Sequence, residues 1–204
     1  MISLSDLKKF KADGRKFSCL TCYDASMAKA MEVAEVDSIL VGDSLGMCIQ
    51  GRDSTLPVTV ADMAYHTAAV RRGNQHAFIM TDLPFMSYAT VQETLANACT
   101  VMQAGAQMVK MEGGAWLSES IEILTRNGIP VCVHLGLTPQ SVHVFGGYKL
   151  QARTREAADK LIADCRAVVE AGAAVLLLEC VPAQLGKEIT ELFPHMPVIG
   201  IGAG

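Results

Sequence analysis

The sequence feature that most restricts the fold is a short apolar segment that recurs along the chain and ends each time in a titratable residue. Four copies end in a carboxylate and one in a histidine: residues 38–43 (Asp43), 77–82 (Asp82), 107–112 (Glu112), 174–179 (Glu179) and 130–134 (His134). A continuous apolar run of this length is typical of a strand buried in a parallel sheet. Five strands that each carry a titratable group at the carboxyl end indicate the layout of an α/β-barrel active site.

An internal repeat supports this alternation of helix and strand. Residues 101–112 and 168–179 align without gaps, and each reads as a helix end, an Ala-Gly-Ala turn, a strand and a terminal glutamate. Short connections of this kind indicate parallel strands joined by right-handed crossovers. We count seven strands and therefore predict a (β/α)8 TIM barrel without its last β/α unit, as a single, C-terminally incomplete domain over residues 1–204. A doubly wound open sheet is the alternative, but carboxylates on many strands favour a barrel mouth over one switch-point crevice.

Caps, glycines and periodicity give the boundaries of the elements. We predict helices at residues 4–12, 24–33, 60–72, 90–104, 117–127, 153–171 and 183–192, with a first strand at 17–21 and a last one at 197–201. Thr59 is the expected N-cap of the helix at 60–72. Residues 46–59 and 136–150 contain turn residues without a clear period, so they are predicted to be long loops.

The composition of the chain argues against several functional classes of protein. The chain is half hydrophobic with a formal net charge of −4, whereas a nucleic-acid-binding domain would show a basic patch. The first 17 residues have no apolar stretch, so we expect no signal peptide, and no apolar run approaches the roughly 18 residues of a membrane span. The odd number of cysteines, seven, indicates reduced thiols in a cytoplasmic protein. Cys19 and Cys22 have the spacing of a redox motif, but residues three apart in a strand face opposite sides.

Three of the strand-end acids predict a metal site. Asp43, Asp82 and Glu112 follow successive strands, and three converging carboxylates repel one another unless they are protonated or bridged by a cation. Hard carboxylate oxygens suit Mg²⁺, whereas zinc would require histidine and cysteine ligands at a spacing that this sequence lacks.

Lys110 and Glu112 share one face of a strand because they are two residues apart. A lysine inside a barrel strand is costly to bury unless it is paired, so it is expected to pair with Glu112 or to hold a substrate oxygen. A Schiff-base role is the competing interpretation. The acidic residues nearby favour metal-assisted enolate chemistry instead.

Three further residues are candidates on less specific grounds. Glu179 ends the most apolar strand and is interpreted either as a general base or as a structural partner for Lys110 or an arginine. His134 is either a hydrogen-bonded core residue or part of the site. Ser44, with backbone N–H groups in the turn after Asp43, is expected to be able to hold a substrate carboxylate.

Several motifs together resemble one enzyme family along almost the whole chain. The sequence resembles the ketopantoate (3-methyl-2-oxobutanoate) hydroxymethyltransferase family in Ile39-Leu-Val-Gly-Asp-Ser-Leu-Gly46, Gly51-Arg-Asp-Ser-Thr-Leu-Pro-Val-Thr59, Asp82-Leu-Pro-Phe85, Val109-Lys-Met-Glu-Gly-Gly114, His134-Leu-Gly-Leu-Thr-Pro-Gln-Ser141, Phe145-Gly-Gly-Tyr148, Leu178-Glu-Cys-Val-Pro182 and Ile199-Gly-Ile-Gly-Ala-Gly204.

The resemblance implies both a fold and a reaction. The fold is a TIM barrel of the phosphoenolpyruvate/pyruvate type, and the assembly is a homo-oligomer, typically a decamer. The reaction transfers a hydroxymethyl group from 5,10-methylenetetrahydrofolate to 3-methyl-2-oxobutanoate through a Mg²⁺-stabilised enolate, giving 2-dehydropantoate for pantothenate and coenzyme A synthesis.

The resemblance also implies roles for individual residues. Asp43 and Asp82 would ligate Mg²⁺ with Glu112 completing the acidic site, and Glu179 would accept the proton. The residues that would hold the 2-oxoacid are Asp43, Ser44, Asp82, Lys110 and His134.

Two departures from the family pattern keep alternatives open. Ala152 stands where the family usually has glycine, and the family continues past Gly204 with an eighth strand and a terminal helical region. One alternative is a Mg²⁺-dependent lyase or aldolase that acts on a 2-oxoacid on the same scaffold. The other is an inactive barrel fragment that binds ligand or assembles with longer subunits.

Overall fold

The computed structural model describes residues 1–203 and divides into two compact units, the first comprising residues 1–110 and the second beginning at Met111. The strands are β1 (Cys19–Thr21), β2 (Ser38–Val41), β3 (Phe78–Asp82), β4 (Met108–Glu112), β5 (Val131–Gly136), β6 (Val175–Glu179) and β7 (Val198–Ile201). The α-helices are α1 (Leu4–Ala12), α2 (Ala25–Val33), α3 (Leu45–Cys48), α4 (Val60–Gly73), α5 (Val91–Gln103), α6 (Ser118–Arg126), α7 (Val142–Phe145), α8 (Arg155–Glu170) and α9 (Ala183–Leu192).

In the first unit, strands β1 to β4 pair in parallel and in chain order. The register places Leu20 beside Ile39 and Ile39 beside Ile79, and it pairs Asp82 with Lys110. Every residue of β3 and β4 is buried, which is why these strands read as largely apolar runs; their polar residues are Thr81, Asp82, Lys110 and Glu112.

In the second unit, strands β5 to β7 also pair in parallel and in chain order. Gly136 lies beside Glu179, and Glu179 lies beside Ile201. The carboxyl ends of β5 and β6 therefore meet, which brings the residues at the ends of these two strands together.

Polar caps begin most of the longer helices. The side chain of Thr59 accepts a hydrogen bond from the backbone N–H of Asp62, and the Asp62 carboxylate accepts one from the backbone N–H of Thr59. This capping box confirms the predicted N-cap. Asp24, Thr90 and Thr154 cap α2, α5 and α8 through a single side-chain bond each.

Both segments that were predicted to be long loops contain helical turns. Residues 46–59 begin inside α3, and residues 136–150 contain a 3-10 turn, Pro139–Ser141, followed directly by α7. The loop prediction was wrong here because helices of one turn are too short to show a 3.6-residue period. The strand β5 also runs two residues beyond the predicted end, to Gly136.

Ala152 has a left-handed backbone conformation, with φ of +53°. Glycine enters this region without Cβ strain, which gives a physical reason for the glycine that the resembling family usually has at this position. In the described residues, 1–203, no helix has the length and apolar character that a membrane-spanning segment needs.

Candidate active site

In the first unit, the residues at the strand ends form one group, called here the Asp82 cluster: Asp43, Asp82 and Lys110, which are buried, and Ser44, which is half-buried. The backbone N–H of Asp43 donates to Asp82 Oδ2 over 3.0 Å, and Lys110 Nζ lies 2.8 Å from Asp82 Oδ1. Lys110 and Asp82 are each only 3% exposed. The parallel register of β3 and β4 causes this pairing, because it sets the two residues side by side.

The structure thus gives Lys110 a partner that the sequence interpretation did not name. Sequence reasoning considered Glu112 on the same strand, whereas the ammonium group bonds across to Asp82. The pairing offsets the desolvation of both ions in a buried site. Because of this pairing, Lys110 is a fixed positive charge and not an unpaired amine.

Gly42 allows the side chains around it to approach closely. A Cβ atom at this position would lie 2.8 Å from Ser44 Oγ and 3.5 Å from Asp82 Oδ2. A side chain at this position would therefore displace the Ser44 hydroxyl, whereas its distance to Asp82 is an ordinary van der Waals contact. The absence of a side chain at Gly42 thus leaves room for the serine hydroxyl next to the strand end.

Tyr23 supports Ser44 from the end of β1, and sequence reasoning missed it. The phenol oxygen lies 2.8 Å from Ser44 Oγ, and His66 Nδ1 lies 2.7 Å from the backbone carbonyl oxygen of Tyr23. Burial raises the pKa of Tyr23, so the phenol remains protonated at neutral pH and can donate to Ser44. The signal that would have found Tyr23 is its position two residues after the carboxyl end of a strand, the same signal that selected the acids.

The Asp82 cluster has a donor set that fits Mg²⁺. Asp43 and Asp82 are both buried carboxylate-bearing residues, and the backbone N–H of Asp43 adjoins the Asp82 carboxylate. Proteins hold Mg²⁺ through one or two carboxylates and leave the remaining positions to water and substrate oxygens. In the part of the chain that the structure describes, no group of three or more histidine, cysteine and acidic side chains is arranged to hold a metal ion, and this applies to Asp43, Asp82 and Glu112 as well.

In the second unit, a histidine lies between two glutamates; Glu112, His134 and Glu179 are called here the His134 cluster. The ring nitrogen Nδ1 is 3.5 Å from Glu112 Oε1, and Nε2 is 3.1 Å from Glu179 Oε2. Glu112 is anchored further, because its Oε2 accepts a 2.9 Å hydrogen bond from the backbone N–H of Gln140. Each ring nitrogen of His134 thus faces a carboxylate, and Glu112 is the one of the two that a backbone N–H also holds.

The two glutamates of the His134 cluster differ in accessibility. The side chain of Glu112 is 3% exposed, whereas that of Glu179 is 21% exposed. A carboxylate that is held on one side and open on the other is the arrangement that a general base needs, since it must reach a substrate proton. The geometry of this cluster thus distinguishes Glu179 as the group that a ligand can reach.

Gly136 fixes the backbone next to Glu179. Its φ is +88°, and a Cβ atom at this position would lie 2.3 Å from the carbonyl oxygen of Glu179. The same carbonyl oxygen accepts a 2.8 Å hydrogen bond from the backbone N–H of Leu137. Only glycine fits this close approach. The end of β5 therefore supports the end of β6 through close backbone contacts.

All of the residues selected from the sequence lie in one or the other cluster. The Asp82 cluster contains Asp43, Ser44, Asp82 and Lys110, and the His134 cluster contains Glu112, His134 and Glu179. Lys110 and Glu112 belong to the same strand, β4, two residues apart.

Comparison with known protein families gives a match over the whole chain. The model of the family described as ketopantoate hydroxymethyltransferase matches residues 1–204. A protein of Acinetobacter baumannii (strain SDF) named 3-methyl-2-oxobutanoate hydroxymethyltransferase is 86% identical over 204 residues, which are 100% of this chain and 76% of the relative. A protein of Psychrobacter sp. (strain PRwf-1) with the same name is 65% identical over 100% of this chain and 75% of the relative.

Solved structures with low sequence identity share the fold. A putative phosphonomutase from Burkholderia cenocepacia J2315 superposes with a TM-score of 0.73 at 16% identity, over 97% of this chain and 83% of that one. A 2,3-dimethylmalate lyase, described as a member of the PEP mutase/isocitrate lyase superfamily, has a TM-score of 0.70 at 16% identity, over 98% and 72% of the two chains. A phosphonopyruvate hydrolase solved with oxalate and Mg²⁺ has a TM-score of 0.69 at 13% identity, over 99% and 81%. The predicted fold class, a TIM barrel, is confirmed.

Proposed function

Because this chain belongs to the ketopantoate hydroxymethyltransferase family, we propose that it transfers a hydroxymethyl group from 5,10-methylenetetrahydrofolate to 3-methyl-2-oxobutanoate and gives 2-dehydropantoate. One observation carries the proposal: the family model matches all 204 residues, and relatives that bear the enzyme name are up to 86% identical over the same length. The reaction belongs to pantothenate biosynthesis.

The metal in this proposal is Mg²⁺, held by Asp43 and Asp82, with Glu112 as the third acid carried over from the family resemblance. The burial of Asp43 and Asp82 and the hydrogen bond from the Asp43 backbone to the Asp82 carboxylate support the first part of this assignment. When bound, the ion supplies a Lewis acid that stabilises negative charge on the oxygens of a 2-oxoacid. The phosphonopyruvate hydrolase of the same fold was solved with oxalate, a dicarboxylate, and Mg²⁺.

The remaining residues of the Asp82 cluster bind and orient the oxoacid. Ser44 donates its hydroxyl to the substrate carboxylate, while Tyr23 donates to Ser44 Oγ and fixes the direction of that hydroxyl. Lys110 adds a positive charge that Asp82 holds in place. A fixed charge costs no reorganisation when negative charge develops on the substrate.

Glu179 takes the proton from C3 of the oxoacid, and His134 holds Glu179 in position during this step. The resulting enolate attacks the methylene carbon of the folate-derived iminium, so that a carbon–carbon bond forms. The bond between this carbon and the folate nitrogen breaks, and water supplies the hydroxyl group of the product.

The assembly and compartment also follow the family resemblance. We propose a homo-oligomer, a decamer in the family, that works in the cytoplasm with reduced thiols. In residues 1–203 no cysteine takes part in a disulfide, which fits a reducing compartment. Light scattering coupled to gel filtration measures the number of subunits directly.

The test of this function measures exchange of the C3 hydrogen of 3-methyl-2-oxobutanoate in D₂O by NMR, first without folate, followed by product formation with the folate donor. We expect Mg²⁺-dependent exchange that Asp43→Ala and Asp82→Ala abolish and that Glu179→Gln lowers by about 10² or more. Asp159→Ala, a change at an exposed acid outside the motifs of the family resemblance, is the matched control and should exchange like the unaltered protein. Folded protein that neither exchanges the hydrogen nor forms product contradicts the proposal.

A further inference from the structure

The second unit contains an open cavity of about 330 Å³ to which none of the roles above assigns a ligand. It lies beyond the carboxyl ends of β4 and β5, and its walls come from the turn after β4, the segment after β5 and helix α8. The lining residues that matter for the argument are Gly113, Trp116, Gly136, Thr138, Phe145 and Asp164. Its volume falls at the lower end of the roughly 300–1,000 Å³ of small-molecule sites.

The cavity adjoins the His134 cluster. The backbone N–H of Gly113, on its wall, donates to the carbonyl oxygen of His134 over 3.1 Å. Gly136, also on its wall, is the register partner of Glu179. The cavity is therefore next to the strand ends that carry His134 and the proposed base, while its own lining comes from neighbouring residues of those strands and from helix α8.

One wall of the cavity is a flat aromatic surface. The indole of Trp116 lies against the backbone of Gly113, where a Cβ atom would come within 2.7 Å of the ring. The residue is nevertheless 65% exposed, so most of its ring is available to another molecule. An exposed ring fixed against a glycine backbone suits stacking with a planar heteroaromatic group.

Asp164 supplies a carboxylate at the same place. Its Oδ1 accepts a 3.0 Å hydrogen bond from the backbone N–H of Ala115, and its Oδ2 accepts a 2.7 Å bond from Lys160 Nζ. Because an ionised carboxylate oxygen has two acceptor positions, one further bond to each oxygen is possible. The 2-amino group and the N3–H of a pterin ring form a pair of adjacent donors that matches a carboxylate.

We propose that this cavity binds the pterin ring of the folate donor, with Trp116 as the stacking surface and Asp164 as the acceptor of the ring's paired donors. The inference rests on the proposed function, because that function requires a reduced folate beside Glu179. It adds the place at which the donor binds and two residues that bind it.

Trp116 is the single tryptophan of the chain, so intrinsic fluorescence reports on this cavity. The probe is tetrahydrofolate, which carries the pterin ring but no one-carbon unit and therefore cannot turn over. We expect saturable quenching in the unaltered protein. For variants that lack Trp116, isothermal titration calorimetry measures the dissociation constant of tetrahydrofolate and compares it with that of the unaltered protein.

Trp116→Ala should weaken tetrahydrofolate binding about tenfold, since it removes the stacking surface, while Trp116→Phe should restore affinity to within about threefold. Tyr65→Ala, which removes an exposed ring on α4 in the other unit, is the matched control and should bind like the unaltered protein. A Trp116→Ala variant with undiminished affinity for tetrahydrofolate overturns the inference.

Failure of the inference can be told from failure of the proposed function. If the unaltered protein forms product while Trp116→Ala keeps the same KM for the folate donor, the function stands and the cavity assignment falls. If the unaltered protein neither forms product nor binds tetrahydrofolate, both fall. A rise in the KM for the donor that exceeds any rise in the KM for the oxoacid supports the assignment.

Discussion

The ammonium group of Lys110 lies within a buried strand, 2.8 Å from a carboxylate oxygen of Asp82. Removing one partner of such a pair leaves the other charge buried with less compensation. We expect Lys110→Met to lower the free energy of unfolding by about 3–5 kcal/mol, measured by urea denaturation. Lys187→Met, at an exposed lysine 3.8 Å from Glu191, should change it by less than about 1 kcal/mol. Equal effects of the two changes would contradict a buried pair.

Tyr23 is predicted to act on substrate binding through Ser44, because its phenol lies 2.8 Å from the serine hydroxyl. Tyr23→Phe removes one hydrogen bond and should raise the KM for 3-methyl-2-oxobutanoate by about threefold to tenfold with a smaller change in kcat. Tyr65→Phe serves as a control. In a double-mutant cycle the effects of Tyr23→Phe and Ser44→Ala on KM should be less than additive, since both remove the same interaction. Fully additive effects would show that Tyr23 acts elsewhere.

At the scale of single residues, the sequence predicts well which residues take part in the chemistry. It predicts less well which neighbours those residues contact. Asp43, Asp82 and Glu179 could be selected because each ends an apolar run, and this signal is local. The Lys110–Asp82 pair could not be found in this way, because it depends on the register between β3 and β4. Register follows from packing between strands and leaves no mark at either residue.

At the scale of elements, the capping box of α4 makes stability depend on pH. Hydrogen bonds from the side chain and backbone of Thr59 hold the pKa of Asp62 below its ordinary value of 3.8. A carboxyl whose pKa is lower in the folded state stabilises the fold above the unfolded pKa, and this contribution is lost as the pH falls through the folded pKa.

Asp62→Asn should therefore lower the free energy of unfolding at pH 7 and have a smaller effect near pH 3. Thr59→Ala should cost about 1 kcal/mol at pH 7, the usual effect of losing an N-cap side chain. Urea denaturation at both pH values measures these changes. Asp159→Asn, at an exposed acid within α8, is the control for general charge effects. An effect of Asp62→Asn that is as large at pH 3 as at pH 7 would contradict the capping role.

The elements that were predicted correctly from the sequence are long or have strong start and stop signals at their ends. The helices α1 and α9 begin and end at the predicted residues, and α4 is preceded by the expected Thr59 cap. The one-turn helices α3 and α7 were predicted as loop. Four residues cannot display a helical period, and α7 ends at Gly146, a residue that equally predicts a turn.

At the scale of the whole molecule, the fold alone does not determine the reaction. The solved structures of this fold include a phosphonopyruvate hydrolase and a 2,3-dimethylmalate lyase, each at 16% identity or less. Proteins of this fold thus bear names of different enzymes, and a fold does not by itself specify a reaction. The proposed function therefore depends on the family match and on the two clusters rather than on the likeness of the fold.

The cysteines provide a measure of how intact the fold is. Cys48 and Cys99 are exposed, whereas Cys132 and Cys165 are buried. Burial raises the pKa of Cys165 to about 12, so at pH 8 this thiol is both protonated and covered. Because the thiolate is the reactive species, iodoacetamide should modify Cys48 and Cys99 at least about 10² times faster than Cys165 in the folded protein.

Mass spectrometry of peptides after timed modification at pH 8 measures these rates, and modification in urea shows that all seven thiols are reactive once the chain unfolds. Cys165 should then react only as fast as the fold opens, so its rate reports local or global unfolding. Modification of Cys165 as fast as Cys99 in the folded protein would contradict the buried position. The same measurement applied to Tyr23→Phe and Trp116→Ala separates loss of binding from loss of fold, because a variant that binds poorly but protects Cys165 has lost a contact and kept its core.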